Sequence, residues 1–129
     1  MLILDENIQD DQRRMLRAWG IRTRKIGRDI GRAGMQDDEI LPLLHGTRRS
    51  TFFTFDARFY DWRLCHPDYC LVRLDVPEAD GASFIRRFLR HPLFITWSAR
   101  KGKVVHIGDA HIRALRLHTQ AETMVAWLL

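Results

Sequence analysis

The sequence predicts an α/β domain with a mainly parallel sheet, and three observations predict it. Apolar runs of strand length recur at residues 1–5 (MLILD), 50–55 (STFFTF) and 70–76 (CLVRLDV). Segments with apolar residues at helical spacing lie between and after them. The resulting order of strand, helix, strand, helix, strand, strand, helix is that of a sheet wound with crossover helices.

The MLIL run is apolar throughout, as a strand covered on both faces requires. Asn7 is placed to cap the next helix, Asp10 and Asp11 suit its first turn, and Ile8, Met15, Leu16 and Trp19 share an inward face. Gly20 closes that helix. A second strand is predicted over 21–26 (IRTRKI), and the glycine-rich stretch 27–34 (GRDIGRAG) reads as a loop. The next helix begins near Asp37 with Ile40, Leu41, Leu43 and Leu44 inward; Pro42, tolerated only near a first turn, predicts that it is short.

After the strands at 50–55 and 70–76, the spacing predicts a helix over 79–91, with Phe84, Ile85, Phe88 and Leu89 inward and Arg86, Arg87 and Arg90 outward. Two β-like runs, 103–107 (KVVHI) and 112–117 (IRALRL), flank a turn at Gly108 and Asp109 and read as a hairpin. The tail from Thr119 to Leu129 reads as a helical turn or two, with Met124, Val125, Trp127 and Leu128 seeking a partner surface.

At 129 residues the chain fits one domain, 1–129, within the usual range of ~100 to 200. Its 46% hydrophobic and 29% charged residues exclude a disordered or fibrous class. MLIL is too short for a signal-peptide core, and no apolar run approaches the ~20 residues of a membrane span, so a cytoplasmic protein is expected. Only Lys25, Lys101 and Lys103 among the 21 basic residues are lysines, which leaves 18 arginines. With a net charge of +5, this arginine excess favours a polyanionic partner such as nucleic acid, RNA or another. Cys65 and Cys70 in "CHPDYC" enclose His66 and Asp68, but no second Cys/His cluster follows, and the expectation is reduced, partly buried thiols.

The acids require an explanation in so basic a chain. Ligands collect beyond the carboxyl ends of strands in an open parallel sheet, and Asp5 and Asp56 each follow a strand. On neighbouring strands they stand ~5 Å apart, close enough to share a hard divalent ion such as Mg²⁺ or Mn²⁺. The helix starting near Asp37 brings a third acid, with Asp38 and Glu39 as alternatives in that register. Clustered carboxylates repel one another unless a cation or proton intervenes.

The segments "LILDENI", "GMQDDEIL" and "TFFTFDARF", in this order and spacing, resemble the PIN-like ribonucleases, in particular the group whose first motif reads Asp-Glu-Asn, related to VapC-type toxins. "GKVVHIGDAHIRALRL" resembles the terminal hairpin of that group. The resemblance implies a three-layer domain with a mainly parallel central sheet and a C-terminal β-hairpin. It implies metal-dependent endoribonuclease activity with Asp5, Asp37 and Asp56 as ligands for Mg²⁺ or Mn²⁺, and a toxin role with a protein antitoxin. Where many relatives carry a further acid, this chain has Arg58; Asp61 is the nearest substitute, and Glu6 and Thr54 stand as supporting groups.

Each assignment has a plainer rival. Asp5 and Asp37 suit helix caps, Asp56 suits a turn, and Thr54 suits a strand by propensity. Arg13, Arg14 and Arg17 read as a solvated helix face, and the aromatics of 52–62 read as core. Two further functional readings stand beside the nuclease: a binding module with an incomplete acid set, and a homodimer formed through the Trp127 and Leu128 tail.

Overall fold

The computed structural model describes residues 1–119 and 121–127. It is an α/β structure in which a seven-stranded mixed sheet carries four helices. In chain order these are β1 (Leu2–Leu4), α1 (Asp10–Ala18), β2 (Arg24–Lys25), α2 (Asp37–His45), β3 (Ser50–Thr54), β4 (Tyr69–Leu74), α3 (Gly81–Arg90), α4 (Trp97–Arg100), β5 (Lys103–Ile107), β6 (His111–Arg116) and β7 (Glu122–Ala126). The strands lie side by side as β2-β1-β3-β4-β5-β6-β7, with the pairings from β2 to β5 parallel and the last two antiparallel.

Register explains why the inner strands are apolar throughout. Ile3, Phe52, Leu71, Val104 and Leu115 are successive cross-strand partners and belong to one core, into which α2 inserts Ile40 and Leu44. One residue along each strand, Leu4, Phe53, Val72, Val105 and Ala114 form the opposite row and face Leu16 of α1 with Ile85 and Phe88 of α3. Successive side chains on a strand point to opposite faces, so each inner strand feeds both cores in turn, and the polar residues buried within β3 are the small hydroxyls Ser50, Thr51 and Thr54. At ~25 cal/mol per Å² of apolar surface removed from water, these two rows dominate the stabilisation.

Several local expectations are corrected. Asn7 does not cap α1; Gln9 holds that position without a side-chain bond, and Asn7 turns towards β3, with Nδ2 3.4 Å from Thr54 Oγ1. Met15 is 37% exposed, so the inward face is carried by Gln12 and Leu16. Gly20 does end α1, at φ 80°. The strand at 21–26 shrinks to two residues, with Ile26 bridging to Ile30. Pro42 is the sixth residue of α2, and the helix continues past it to His45, anchored by Ile40 and Leu44 on one side and a capping box between Gln36 and Glu39 at its start. Helix α4, capped by Thr96, fell in a stretch with no sequence expectation.

The tail is a strand rather than a helix. Residues Glu122–Ala126 pair antiparallel with β6, and Trp127 Nε1 donates to the Gly108 carbonyl at 2.8 Å. Its ring receives the Arg87 guanidinium at 4.5 Å, and Arg86 lies 4.0 Å over Trp19, so these two arginines cover aromatic rings instead of facing only solvent. Leu128 lies outside the described residues.

Candidate metal and phosphodiester site

Strands β1 and β3 are parallel neighbours in register, so Asp5 and Thr54 emerge side by side at their carboxyl ends. Asp5 is only 7% exposed. Its Oδ2 accepts from Thr54 Oγ1 at 2.6 Å, and its Oδ1 accepts from the Glu6 amide at 2.8 Å. Burial raises the Asp5 carboxyl pKa, and these two bonds oppose the rise only in part. No Lys, Arg or His among the described residues forms an ion pair with it. A carboxylate taken from water without a cation beside it is costly, and that is the physical reason for the upward shift.

Thr54 links Asp5 to the second acid. Its hydroxyl oxygen also accepts from the Asp56 amide at 3.0 Å. The Asp56 carboxylate in turn receives the Arg58 amide at 2.9 Å, and the Arg58 guanidinium, with Nη2 2.8 Å from Oδ2. The Arg58 bonds hold the Asp56 carboxyl below its ordinary range. The same guanidinium lies 3.6 Å from Asp37 Oδ2 at the start of α2. Arg58 thus stands between Asp37 and Asp56, which become neighbours although distant in sequence.

The three acids at the start of α2 differ in their surroundings. Glu39 is occupied by the capping box and an ion pair with Arg32, Asp38 is exposed, and Asp37 reaches Arg58. Glu6 accepts the Gly34 amide at 2.9 Å and so fastens the glycine loop beside the site. Asp61 is held by Arg63 and makes no bond or ion pair with Asp5, Asp37 or Asp56 among the described residues.

Asp61 also supplies a control for Asp56. Both begin short 3-10 turns, Ala57–Phe59 and Trp62–Leu64, and both bind an arginine two residues on with the same geometry. The Asp-x-Arg pair is therefore an ordinary turn device. What distinguishes Asp56 is its bond to Thr54 and the reach of its arginine to Asp37.

Beyond Thr54 the same strand row continues with Arg73, His106 and Arg113, on the face that holds α2. Arg73 Nη1 lies 3.3 Å from His106 Nε2 and 2.9 Å from Asp75, and the Arg73 charge helps to lower the Asp56 pKa. These residues were not singled out from the sequence. The signal was there: Arg73 and His106 are the lone polar breaks in CLVRL and VVHI, one residue before each strand ends. A separate groove of about 860 Å³ opens beside the amino end of β1, lined by Arg13, Arg17, Arg22 and Arg24 with Asp29.

Asp5, Asp37 and Asp56 converge on one edge, but their oxygens do not form a closed trio. Among the described residues, His45, His66 and Asp68 are the one set of three such side chains whose ligand atoms all lie within 4.8 Å of one another. Comparison of the chain with protein-family models, curated proteins and solved structures finds no match.

Proposed function

We propose that this chain is a PIN-like, metal-dependent endoribonuclease, with the three-layer arrangement and terminal hairpin of that family and with Asp5, Asp37 and Asp56 as its acids. The observation that carries the reading is the hydrogen-bonded sequence Asp5, Thr54, Asp56, Arg58 at the carboxyl ends of β1 and β3, extended by the ion pair of Arg58 with Asp37 at the start of α2. The donor set is made of hard carboxylate oxygens, and Asp5 is buried without a cationic partner, so the residues fit Mg²⁺ or Mn²⁺. Bound there, such an ion supplies charge to a phosphodiester oxygen and a more acidic water.

The chain's own groups have separable roles. Thr54 fixes the Asp5 carboxylate and the turn that presents Asp56. Arg58, whose side chain is 73% exposed, pairs with both Asp56 and Asp37, and a cation held by those two acids would displace it. Released, it faces outward beside the site, where a guanidinium fork suits a phosphate. Arg73 and Arg113, and the arginines of the groove beside β1, offer further charge to an RNA backbone that the acids alone would repel. A cytoplasmic toxin role with a protein antitoxin belongs to the same proposal; among the described residues no helix is long and apolar enough to cross a membrane.

Arg58 also favours a second reading, a PIN-like binding module in which the arginine permanently takes the place of a cation. RNA cleavage in Mn²⁺ separates the two. The nuclease reading expects Asp5→Asn with Asp56→Asn to abolish metal-dependent cleavage while the fold persists. Salt-sensitive RNA binding without cleavage by the unaltered chain would leave the module.

A further inference from the structure

A second cluster lies at the other end of the strands, where α2 ends and β4 begins. His45 is the last residue of α2, and its Nδ1 lies 3.2 Å from Asp68 Oδ2. His66 Nδ1 lies 3.6 Å from the same oxygen, and the two imidazole rings meet edge to face with centroids 4.3 Å apart. Tyr69, the first residue of β4, stacks on His66 at 5.3 Å and meets His45 at 5.1 Å, so a largely buried ring backs both imidazoles.

The geometry points to a binding site for a borderline divalent transition-metal ion, with Zn²⁺ as the reference case, formed by His45, His66 and Asp68. Donors about 2.1 Å from a tetrahedral ion stand about 3.4 Å apart, and the two nitrogen-to-oxygen separations here bracket that edge. Two imidazoles and one carboxylate form a set that zinc sites use with water completing the shell, and they differ in kind from the all-oxygen set around Asp5. The Asp68 amide donates to His66 Nδ1 at 3.1 Å, so the lone pair of that nitrogen already faces the Asp68 segment, and an ion would take it over from this exposed bond.

The site could not be assembled from "CHPDYC" by itself. The two thiols that suggest zinc are unsuited: Cys70 is fully buried with its pKa pushed up to about 12 by burial, and burial also raises Cys65. The third ligand comes instead from the end of α2, and the ion would tie that helix to the segment entering β4.

The test uses the full chain and ZnCl₂ alone. Isothermal titration and thermal melts are run on the wild type, on His45→Gln and on His66→Gln, whose exposed side chains leave the fold unthreatened. The Asp5→Asn, Asp56→Asn double variant is measured in parallel, so that failure of this site and failure of the nuclease site are told apart. The expected result is saturable binding with a raised Tm, at least about tenfold weaker in each histidine variant and retained in the double aspartate variant, since even outer partners of a metal ligand carry about 10–100-fold. Co²⁺ bound there should show the visible bands of a low-coordinate site. No binding, or binding equally strong in both histidine variants, would overturn the assignment and leave a His–Asp surface contact.

Discussion

The Thr54 hydroxyl donates to Asp5 Oδ2 at 2.6 Å while both residues are buried at the carboxyl ends of adjacent parallel strands. One small side chain thereby fixes the least solvated acid of the edge and, through the Asp56 amide, positions its neighbour.

Thr54→Val is the first consequence. Valine keeps the shape but removes the donor to Asp5 and the acceptor of the Asp56 amide. Leaving a buried polar group unmet costs about 1–3 kcal/mol, so chemical denaturation should show a loss of that size. The Asp5 pKa should rise further, readable by carboxyl-carbon NMR.

Asp5→Asn should show the reverse sign at neutral pH. Asp5 has a folded pKa raised above the ordinary 3.8, so its favourable share of stability is complete below that value and is lost as pH rises through the raised one. Asparagine carries no such loss and can still meet Thr54 and the Glu6 amide. Melts from pH 4 to 8 should find the variant at least as stable as the wild type at pH 7, with the gap closing towards pH 4. Asp56, lowered by Arg58, behaves oppositely: its contribution is present above 3.8 and fades as pH falls through its lowered value.

Arg58→Asp should strengthen Mn²⁺ binding by at least about tenfold, because it removes the cation that pairs with Asp56 and Asp37 and sets a further carboxylate beside them. Calorimetric titration reads the affinity, and RNA cleavage should rise with it. A variant that binds Mn²⁺ no better would show that Arg58 does not compete with a cation.

Removing the chain after Ala121 tests the role of the tail. Trp127 is engaged within the chain by Gly108 and Arg87, so the truncation should lower Tm and leave the mass in solution unchanged. A halved mass at constant Tm would instead support a homodimer formed through the tail.

The sheet was legible where a single face or row decides the pattern. Phe52 and Phe53 of STFFT and Leu71, Val72 and Leu74 of CLVRL are buried as their apolar character implies, and Asp5 and Asp56 come out at one edge because their strands pair in parallel register. Pairing itself was not legible for the tail: the exposed ETMVA carries no strong period, and only β6 beside it makes it a strand. Nor was the cap of α1, where Asn7 turned to β3 instead. Arg58 was read as a missing acid, but its bridging position depends on where α2 starts, which only packing decides. His45 and His66 join for the same reason, since the α2 terminus and the β4 entrance are far apart in sequence.

The central claim is that Asp5, Asp37 and Asp56 together take up a hard divalent cation. Paramagnetic line broadening during a Mn²⁺ titration of the isotopically labelled chain tests it most directly. The account predicts that the amides of Glu6, Asp37 and Asp56 broaden first, and that Asp5→Asn with Asp56→Asn removes the effect. Broadening that leaves these amides untouched, or that persists in the double variant, would contradict it.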